Sequence, residues 1–268
     1  MNTIKLIKRL LKHPVSILRH GAIVIEEEKF KKSISKKYNI EQLPTVDLME
    51  LFPNFNENLS TYSFLEGTSL ITDLMLLKQL ARTYPVCKYL EIGSWRGESL
   101  KNVSEVAKSC VAITLSPQEM KNMHYSQEVI NVHGIFSKGT NNITEILHNS
   151  KTYDFNKLKS KFDLIFIDGD HSYEGVLNDT KKTFNLRKND SSVIVWHDYG
   201  ISTERVTHSV LAAILDGIPR EKHNNLFHIS NTLCAIYIEN RKFKTYQTKY
   251  PTYPNKKFSI SVSAHIFK

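Results

Sequence analysis

Residues 161–200 read KFDLIFIDGDHSYEGVLNDTKKTFNLRKNDSSVIVWHDYG, and they hold the side chains most able to do chemistry. The apolar run 162–167 stops at Asp168-Gly169-Asp170-His171, and the run 193–196 stops at His197-Asp198. Apolar runs of this length suit strands buried on both faces of a parallel sheet. In open α/β sheets, ligands bind just beyond the carboxyl ends of such strands. Two strand ends then deliver three carboxylates and two imidazoles to one rim. Those groups can ligate a divalent cation or accept a proton. Turns also use Asp and His, so one such strand end would say little; two of them separated by a single helical stretch argue for a site.

A second constellation lies upstream. Tyr89-Leu90-Glu91-Ile92-Gly93-Ser94-Trp95-Arg96-Gly97-Glu98-Ser99 reads as a strand, a glycine turn and a helix start. Gly93 permits a tight turn and close backbone approach to a ligand, and Gly97 lets the helix begin close against it. The Gly-x-x-x-Gly spacing departs from Gly-x-Gly-x-x-Gly, whose middle glycine makes room for a pyrophosphate. Glu91 at the strand end would also repel a pyrophosphate. A carboxylate there suits a ligand carrying an ammonium group.

The elements that must position these residues alternate from Lys88 onward. Strands are expected at 88–92, 111–115, 129–133, 162–167 and 192–197, with helices at 98–108, 117–124, 139–149, 173–186 and 204–216. Such alternation implies a doubly wound, mostly parallel α/β sheet. Residues 226–230 and 233–239, joined by Asn231-Thr232, read as a hairpin that closes the sheet and brings it to seven strands. Upstream, Leu70, Leu74, Leu77 and Ala81 mark one face of a helix at about 69–83 that Pro85 ends. Residues 26–37 are charged and either helical or mobile, and 40–63, with Pro44 and Pro53, read as a loop-rich linker or cap. In KFSISVSAHIFK, Phe258, Ile260, Val262, Ala264 and Ile266 alternate as in a half-buried C-terminal strand. The domain plan is thus a helical extension and cap over 1–64, a core over 65–240 and a basic extension over 241–268.

Composition narrows the function classes. The chain has 268 residues, 41% hydrophobic, and no apolar run long enough to span a bilayer. The N-terminal residues lack the apolar core and cleavage site of a secretory signal. Cys87, Cys110 and Cys234 are too few and too scattered for a disulfide framework or a zinc site, so a cytoplasmic setting is expected. Of the net charge of +9, residues 1–25 carry five Lys/Arg and no acid and residues 240–268 carry seven and no acid, leaving 26–239 at −3. A nucleic-acid enzyme with a basic groove at its centre does not look like this. On a helical wheel, Ile4, Ile7, Leu11, Val15 and Leu18 oppose Lys5, Lys8, Arg9, Lys12 and Arg19, with Pro14 as a kink. Such a helix can lie on an anionic membrane surface from the cytoplasmic side, or pack on its own domain or a homo-oligomer partner.

The chain resembles the class I S-adenosylmethionine-dependent methyltransferases over roughly residues 65–240. LEIGSWRGES resembles their first motif, and the βα alternation with a closing antiparallel hairpin resembles their sheet. The resemblance implies S-adenosylmethionine as cofactor, held by Glu91, Gly93, Ser94, Gly97, Ser99, Thr114, Glu119 and Gly134. Glu91, Gly93, Ser94 and Gly97 would line its methionine part. The acid these enzymes use for the ribose hydroxyls is replaced by Ser116. Thr-Leu-Ser there is similar to the variant in cyclopropane-synthase-like methyltransferases, in which a Gln three residues on reaches the ribose. Glu119 holds that offset, although an acid in a first helical turn also serves the helix dipole. Gly134 and Phe136 could flank the adenine, and Phe136 equally suits the core.

IDGDHSYEGVLND resembles a narrower family that includes metal-dependent macrolide-sugar O-methyltransferases and cephalosporin-biosynthesis enzymes. That resemblance implies Asp168 as a magnesium ligand, His171 as the base, and His197 and Asp198 as the rest of the metal site. His197 stands where the family carries a carboxylate, and imidazole suits manganese, iron or zinc better than magnesium. Asp170 either orients His171 or caps the helix that starts near Ser172. Trp196 and Tyr199 either wall a sugar ring or belong to the core, and Asp179 is expected at the surface. Residues 40–63 and the tail tyrosines Tyr246, Tyr250 and Tyr253 could cover an acceptor pocket. The expected activity is methyl transfer to a hydroxyl of a small molecule or glycan. The alternatives are an RNA-modifying methyltransferase and a non-catalytic scaffold of a glycan-assembly complex.

Overall fold

The computed structural model describes the backbone of residues 14–266 and the side chains of residues 21–266. The basic amphipathic face read from residues 2–20 lies outside those described side chains. Among the described residues no helix is long and apolar enough to cross a membrane.

A single long sheet organises the chain. Its strands are β1 (Thr45–Val46), β2 (Lys88–Ile92), β3 (Ser109–Thr114), β4 (Ile143–Leu147), β5 (Leu164–Ile167), β6 (Val193–Trp196), β9 (Leu226–Ile229), β10 (Ala235–Tyr237) and β11 (Thr245–Tyr246), while β7 (Gly200–Ser202) and β8 (Arg205–Val206) form a separate two-stranded ribbon. The order across the sheet is β4-β3-β2-β5-β6-β10-β9-β1-β11. From β4 through β6 neighbouring strands run parallel, and β10 enters antiparallel between β6 and β9. The doubly wound, mostly parallel sheet expected from sequence is there, but it has nine strands and not seven, β1 and β11 being two-residue strands at one edge. The chain builds outward from β2 to β3 and β4, then returns to the other side with β5. The carboxyl ends of β2 and β5 therefore flank the point where strand order reverses, which is where open α/β sheets bind ligands.

Period-two alternation places the core in two layers. Ile165, Ile167, Ile194 and Trp196 face one side, with Ile34 of α1 (Pro14–Tyr38), Val176 of α7 (Tyr173–Phe184) and Leu211 and Ile214 of α8 (His208–Gly217). Leu164, Phe166, Val193 and Val195 face the other, with Leu77 and Leu80 of α3 (Ile71–Arg82) and Leu100 and Val103 of α4 (Glu98–Ser104). All four β5 and all four β6 residues are buried, as expected of central parallel strands. A short α2 (Leu48–Leu51), α5 (Pro117–Asn122) and α6 (Gln127–Val132) complete the α-helices described.

Three local readings are corrected. Residues 129–133 are not a strand: Ser126 caps α6, accepting from the Val129 N–H, and only Ile130 of that helix is buried. The third parallel strand is instead β4, inside the stretch read as a helix at 139–149. It is an edge strand with Thr144 and Leu147 exposed, so its pattern is not that of a buried strand. The alternating 257–266 segment forms no strand and is largely exposed; the outer edge beside β1 is taken by β11, with Thr45 opposite Tyr246.

Candidate functional site

The end of β2 is shaped by backbone contacts. Gly93 has φ +85°, and its N–H donates to the Ile113 carbonyl at 2.9 Å. A Cβ there would lie 2.2 Å from the Asp168 carbonyl oxygen and 2.4 Å from the Gly169 Cα. Only glycine lets the β2 turn and the β5 turn approach this closely. At the other end of the loop the Gly134 N–H donates to the Trp95 carbonyl at 2.8 Å and the Phe136 N–H to the Arg96 carbonyl at 2.9 Å.

A cavity of about 660 Å³ opens above this junction. Gly93, Ser94 and Trp95 line it, with Thr114 and Leu115 at the end of β3, the apolar Met120, Met123 and Tyr125, and the 148–151 loop. Its remaining wall holds Asp168, Gly169, Asp170, His171, His197, Asp198 and Leu233. Gly67, Thr68 and Ser69 also reach it, held by Arg96 Nη2, which donates to the Glu66 carbonyl at 2.7 Å and Thr68 Oγ1 at 2.9 Å. The cover expected from 40–63 comes from the residues just after that stretch. The volume is that of a site for a small ligand.

Of the residues assigned to a cofactor, Gly93, Ser94 and Thr114 lie on the cavity wall. Glu91, Gly97, Ser99, Glu119 and Gly134 lie behind it. Glu91 is fully buried and accepts from Tyr89 Oη at 2.6 Å and Ser99 Oγ at 2.8 Å. Burial pushes its carboxyl up to about 8 against the pull of those hydrogen bonds. Burial thus favours the neutral carboxyl over the charged form expected to meet an ammonium group. Glu119 accepts from the Ser116 N–H and Oγ at 2.8 and 2.7 Å and from the Asn149 N–H at 2.9 Å. Its two oxygens thus tie α5 to the 148–151 loop.

The rim at β5 and β6 differs. Asp198 follows β6 with φ +52°, a left-handed conformation that Asp tolerates better than most residues. Its Oδ2 lies 2.7 Å from His171 Nδ1. His197 is 9% exposed, with Nδ1 3.1 Å from Asp168 Oδ1 and 3.3 Å from Asp198 Oδ1. Its Nε2 lies 3.1 Å from Oδ2 of the fully buried Asp73 on α3. Despite these neighbours, Nδ1 of His197 is a buried atom with no hydrogen-bond partner among the described residues. Burial alone would lower the His197 imidazole, but Asp168, Asp198 and Asp73 together draw it well above its usual range. Burial would likewise raise Asp198, yet the two imidazoles hold it well below the usual carboxylate range. His171 is raised, its ion pair with Asp198 outweighing desolvation. Asp168, His197 and Asp198 offer one donor atom each, all within 4.8 Å of one another. The residues fit a divalent cation: a buried nitrogen lacks a partner, and two carboxylates face it.

Several expectations are corrected here. Asp170 does not orient His171; it pairs with Lys151 and accepts the Ser172 N–H at 2.9 Å. Ser172 itself caps α7, and the partner of His171 is Asp198. Asp179 is buried, not at the surface, with one oxygen directed at Gly169. For Trp196 the core reading holds, its Nε1 donating to Thr180 Oγ1 at 2.8 Å, and buried Tyr199 accepts the Leu43 N–H at 2.9 Å, so neither walls a ring. Tyr246, Tyr250 and Tyr253 are exposed and off the cavity wall. Asp73 escaped the sequence reading: an acid in a first helical turn ordinarily answers the helix dipole, and its partner lies 124 residues away.

Residues 90–199 match a family model described as a methyltransferase domain. The match runs from β2 to just past β6 and holds the glycine turn and both acid-bearing strand ends. A curated protein, R132 of Acanthamoeba polyphaga mimivirus, is 31% identical over 141 residues, covering 46% of this chain and 58% of that protein. The chain thus spans little more than half the length of that relative. The cofactor-bound crystal structure of Rv0187 from MTB matches with a TM-score of 0.46 at 17% identity, over 66% of this chain and 84% of that one. The O-methyltransferase TomG from Streptomyces achromogenes matches with a TM-score of 0.43 at 12% identity, over 64% and 81%.

Proposed function

We propose, from the match of residues 90–199 to a methyltransferase-domain model, that the protein transfers the methyl group of S-adenosylmethionine to a hydroxyl of a small molecule or glycan. The observation that carries the reading is His171 paired with Asp198 at 2.7 Å on the wall of the cavity that also holds the Gly93 turn. With Nδ1–H donated to Asp198, the Nε2 lone pair of His171 is the one able to take a hydroxyl proton, the logic of a carboxylate-oriented imidazole base. Placing the acceptor oxygen in line with the transferred methyl supplies much of the acceleration such a reaction needs. The Gly93–Ser94 turn, Thr114 and the apolar wall of Met120, Met123 and Tyr125 would take the cofactor. Asp168, His197 and Asp198 would hold a divalent cation, which when bound lowers the pKa of a coordinated hydroxyl. Asp198 serves both parts, one oxygen toward His171 and the other toward His197.

Native mass spectrometry of the purified protein with S-adenosylmethionine, with and without chelator, tests the cofactor and cation together. Release of S-adenosylhomocysteine in the presence of a panel of sugar and phenolic hydroxyl compounds tests the reaction. A protein that takes up no S-adenosylmethionine would end this reading. We extend the proposal to peripheral contact with an anionic membrane: the exposed Ile23, Val24 and Ile25 adjoin the basic segment. Sedimentation with phosphatidylserine vesicles that is lost in about 0.5 M salt, where the Debye length falls to roughly 4 Å, would support it; sedimentation with neutral vesicles alone would not.

A further inference from the structure

Asp73 sits on no sequence motif, yet it is fully buried with its carboxylate against the far nitrogen of His197. Both its oxygens are engaged. Oδ2 accepts the Leu70 N–H at 2.9 Å and lies 3.1 Å from His197 Nε2, while Oδ1 accepts the Leu233 N–H at 2.9 Å with Cys234 Sγ at 3.6 Å. These donors come from the start of α3 and from the β9–β10 turn, so the carboxylate is fixed by two elements outside the rim. The His197 ring is further bounded by Phe166, edge-on with centroids 6.0 Å apart.

We propose that Asp73 is a positioning residue that holds His197 as the Nε2–H tautomer, directs the Nδ1 lone pair between Asp168 and Asp198, and makes the rim a nitrogen–oxygen site for a divalent cation of the manganese, iron(II) or zinc class rather than magnesium. The inference rests on the cation reading above and adds the selectivity and its cause. A carboxylate accepting the far N–H of a ligating imidazole fixes its tautomer and orientation. With Nε2–H given to Asp73, the only lone pair left on the ring is Nδ1, the buried atom that has no hydrogen-bond partner among the described residues. That atom is 3.1 and 3.3 Å from one oxygen of each neighbouring aspartate, an opening bounded by one nitrogen and two oxygens. Magnesium demands hard oxygen donors, whereas an imidazole among carboxylates favours the borderline cations.

Manganese titration of the full-length protein, read by calorimetry and by pulsed electron paramagnetic resonance, tests this without any methyl acceptor. The wild type should bind manganese at least about tenfold more tightly than magnesium and show the nitrogen coupling of one directly bound imidazole. Asp73→Asn should lower manganese affinity about 10–100-fold and weaken that coupling while thermal unfolding stays cooperative. His197→Asp, an all-oxygen variant, should lose the coupling and shrink the manganese preference at least about tenfold; this arm decides the selectivity should Asp73→Asn fail to fold. Manganese bound without nitrogen coupling would overturn the inference and leave a cation site standing. Coupling and affinity unchanged in a folded Asp73→Asn would overturn the role of Asp73 alone. No binding of manganese or magnesium by the wild type would overturn the cation reading itself, with His197 then an imidazolium between aspartates.

Discussion

The two ends of the cavity are built on opposite principles. Near the β2 turn the carboxyls of Glu91 and Glu119 are engaged inside the protein. Glu91 is capped by Tyr89 and Ser99, Glu119 by Ser116 and Asn149, and toward the cavity this end presents backbone shape, the hydroxyl-bearing Ser94 and Thr114, and the apolar Met120 and Met123. At the β5 and β6 ends charge is concentrated and incompletely matched. Asp73, Asp168 and Asp198 surround one imidazole whose inner nitrogen has no hydrogen-bond partner among the described residues, and Asp198 is held in a left-handed backbone conformation. Carboxylates crowded around an imidazole at one place and carboxyls tied up by internal hydrogen bonds at the other fit a division of labour. One end supplies a mould, the other supplies reactive groups.

The largest effect expected is one that breaks this separation. Gly93→Ala puts a methyl 2.2 Å from the Asp168 carbonyl at a positive φ, so the β2 turn, the β5 turn or both must move. Clash and strain together should cost about 3 kcal/mol or more, read by chemical denaturation. S-adenosylmethionine binding and cation binding should fail together, because the mould and the rim share that contact. If cation binding survives at wild-type strength, the two ends are more independent than their geometry implies.

His171→Ala should separate them instead. Loss of a general base lowers turnover about 10²–10⁴-fold, while cofactor affinity should stay within about threefold, since the imidazole acts on the acceptor and not on the sulfonium. Measured together by calorimetry and by single-turnover assay, the two numbers place the residue. A parallel collapse of cofactor affinity would show that His171 belongs to the mould.

Much of this arrangement could be read from the chain, and what could not had a physical reason. The central strands β2, β5 and β6 announced themselves because burial on both faces demands unbroken apolar runs, and their ends carried Gly93, Asp168, His171, His197 and Asp198 to the cavity as expected. The edge strand β4 did not, since a strand with one neighbour tolerates polar residues such as Glu145 and then resembles a helix. The stray acids were harder still. Asp170, Asp179 and Glu119 are locally plausible as base partner, surface charge and ribose ligand, and only the packing of Lys151, Gly169 and Asn149 decides among such roles. Asp73 meets His197 only because α3 and β6 are brought together by the sheet.

A smaller effect sharpens the description of the mould as electrically quiet. Glu91 is raised from 4.5 to about 8 in the folded protein. Between those values the folded state keeps a proton that the unfolded state has lost, so stability falls as pH rises from about 4.5 to 8. Glu91→Gln mimics the neutral carboxyl and should match the wild type near pH 5. Near pH 8 it should exceed the wild type by about 2–4 kcal/mol in urea midpoints. A wild-type stability curve that is flat across this range, or a variant weaker at pH 8, would mean that Glu91 is charged and that the mould carries a net anion after all.

The smallest effect comes from outside both ends and supplies their reference. Glu27 on α1 caps α8: it accepts the His208 and Ser209 N–H groups at 2.5 and 3.2 Å, where Thr207 at the N-cap gives no side-chain bond. Burial would raise its carboxyl, but the hydrogen bonds from His208 and Ser209 hold it at about 2, below the usual 4.5. The folded state therefore binds its proton less readily than the unfolded state. The stabilisation is complete above about pH 4.5 and is lost as pH falls through about 2. Glu27→Gln should cost about 1–2 kcal/mol at pH 7 once solvent screening is allowed for, and the difference from wild type should fade by pH 2–3. Because α8 packs on the face of the sheet and not on the cavity, S-adenosylmethionine and cation affinities should not change. If they do, the rim is coupled to the α1–α8 contact, and charge placed for packing cannot be told apart from charge placed for chemistry by location alone.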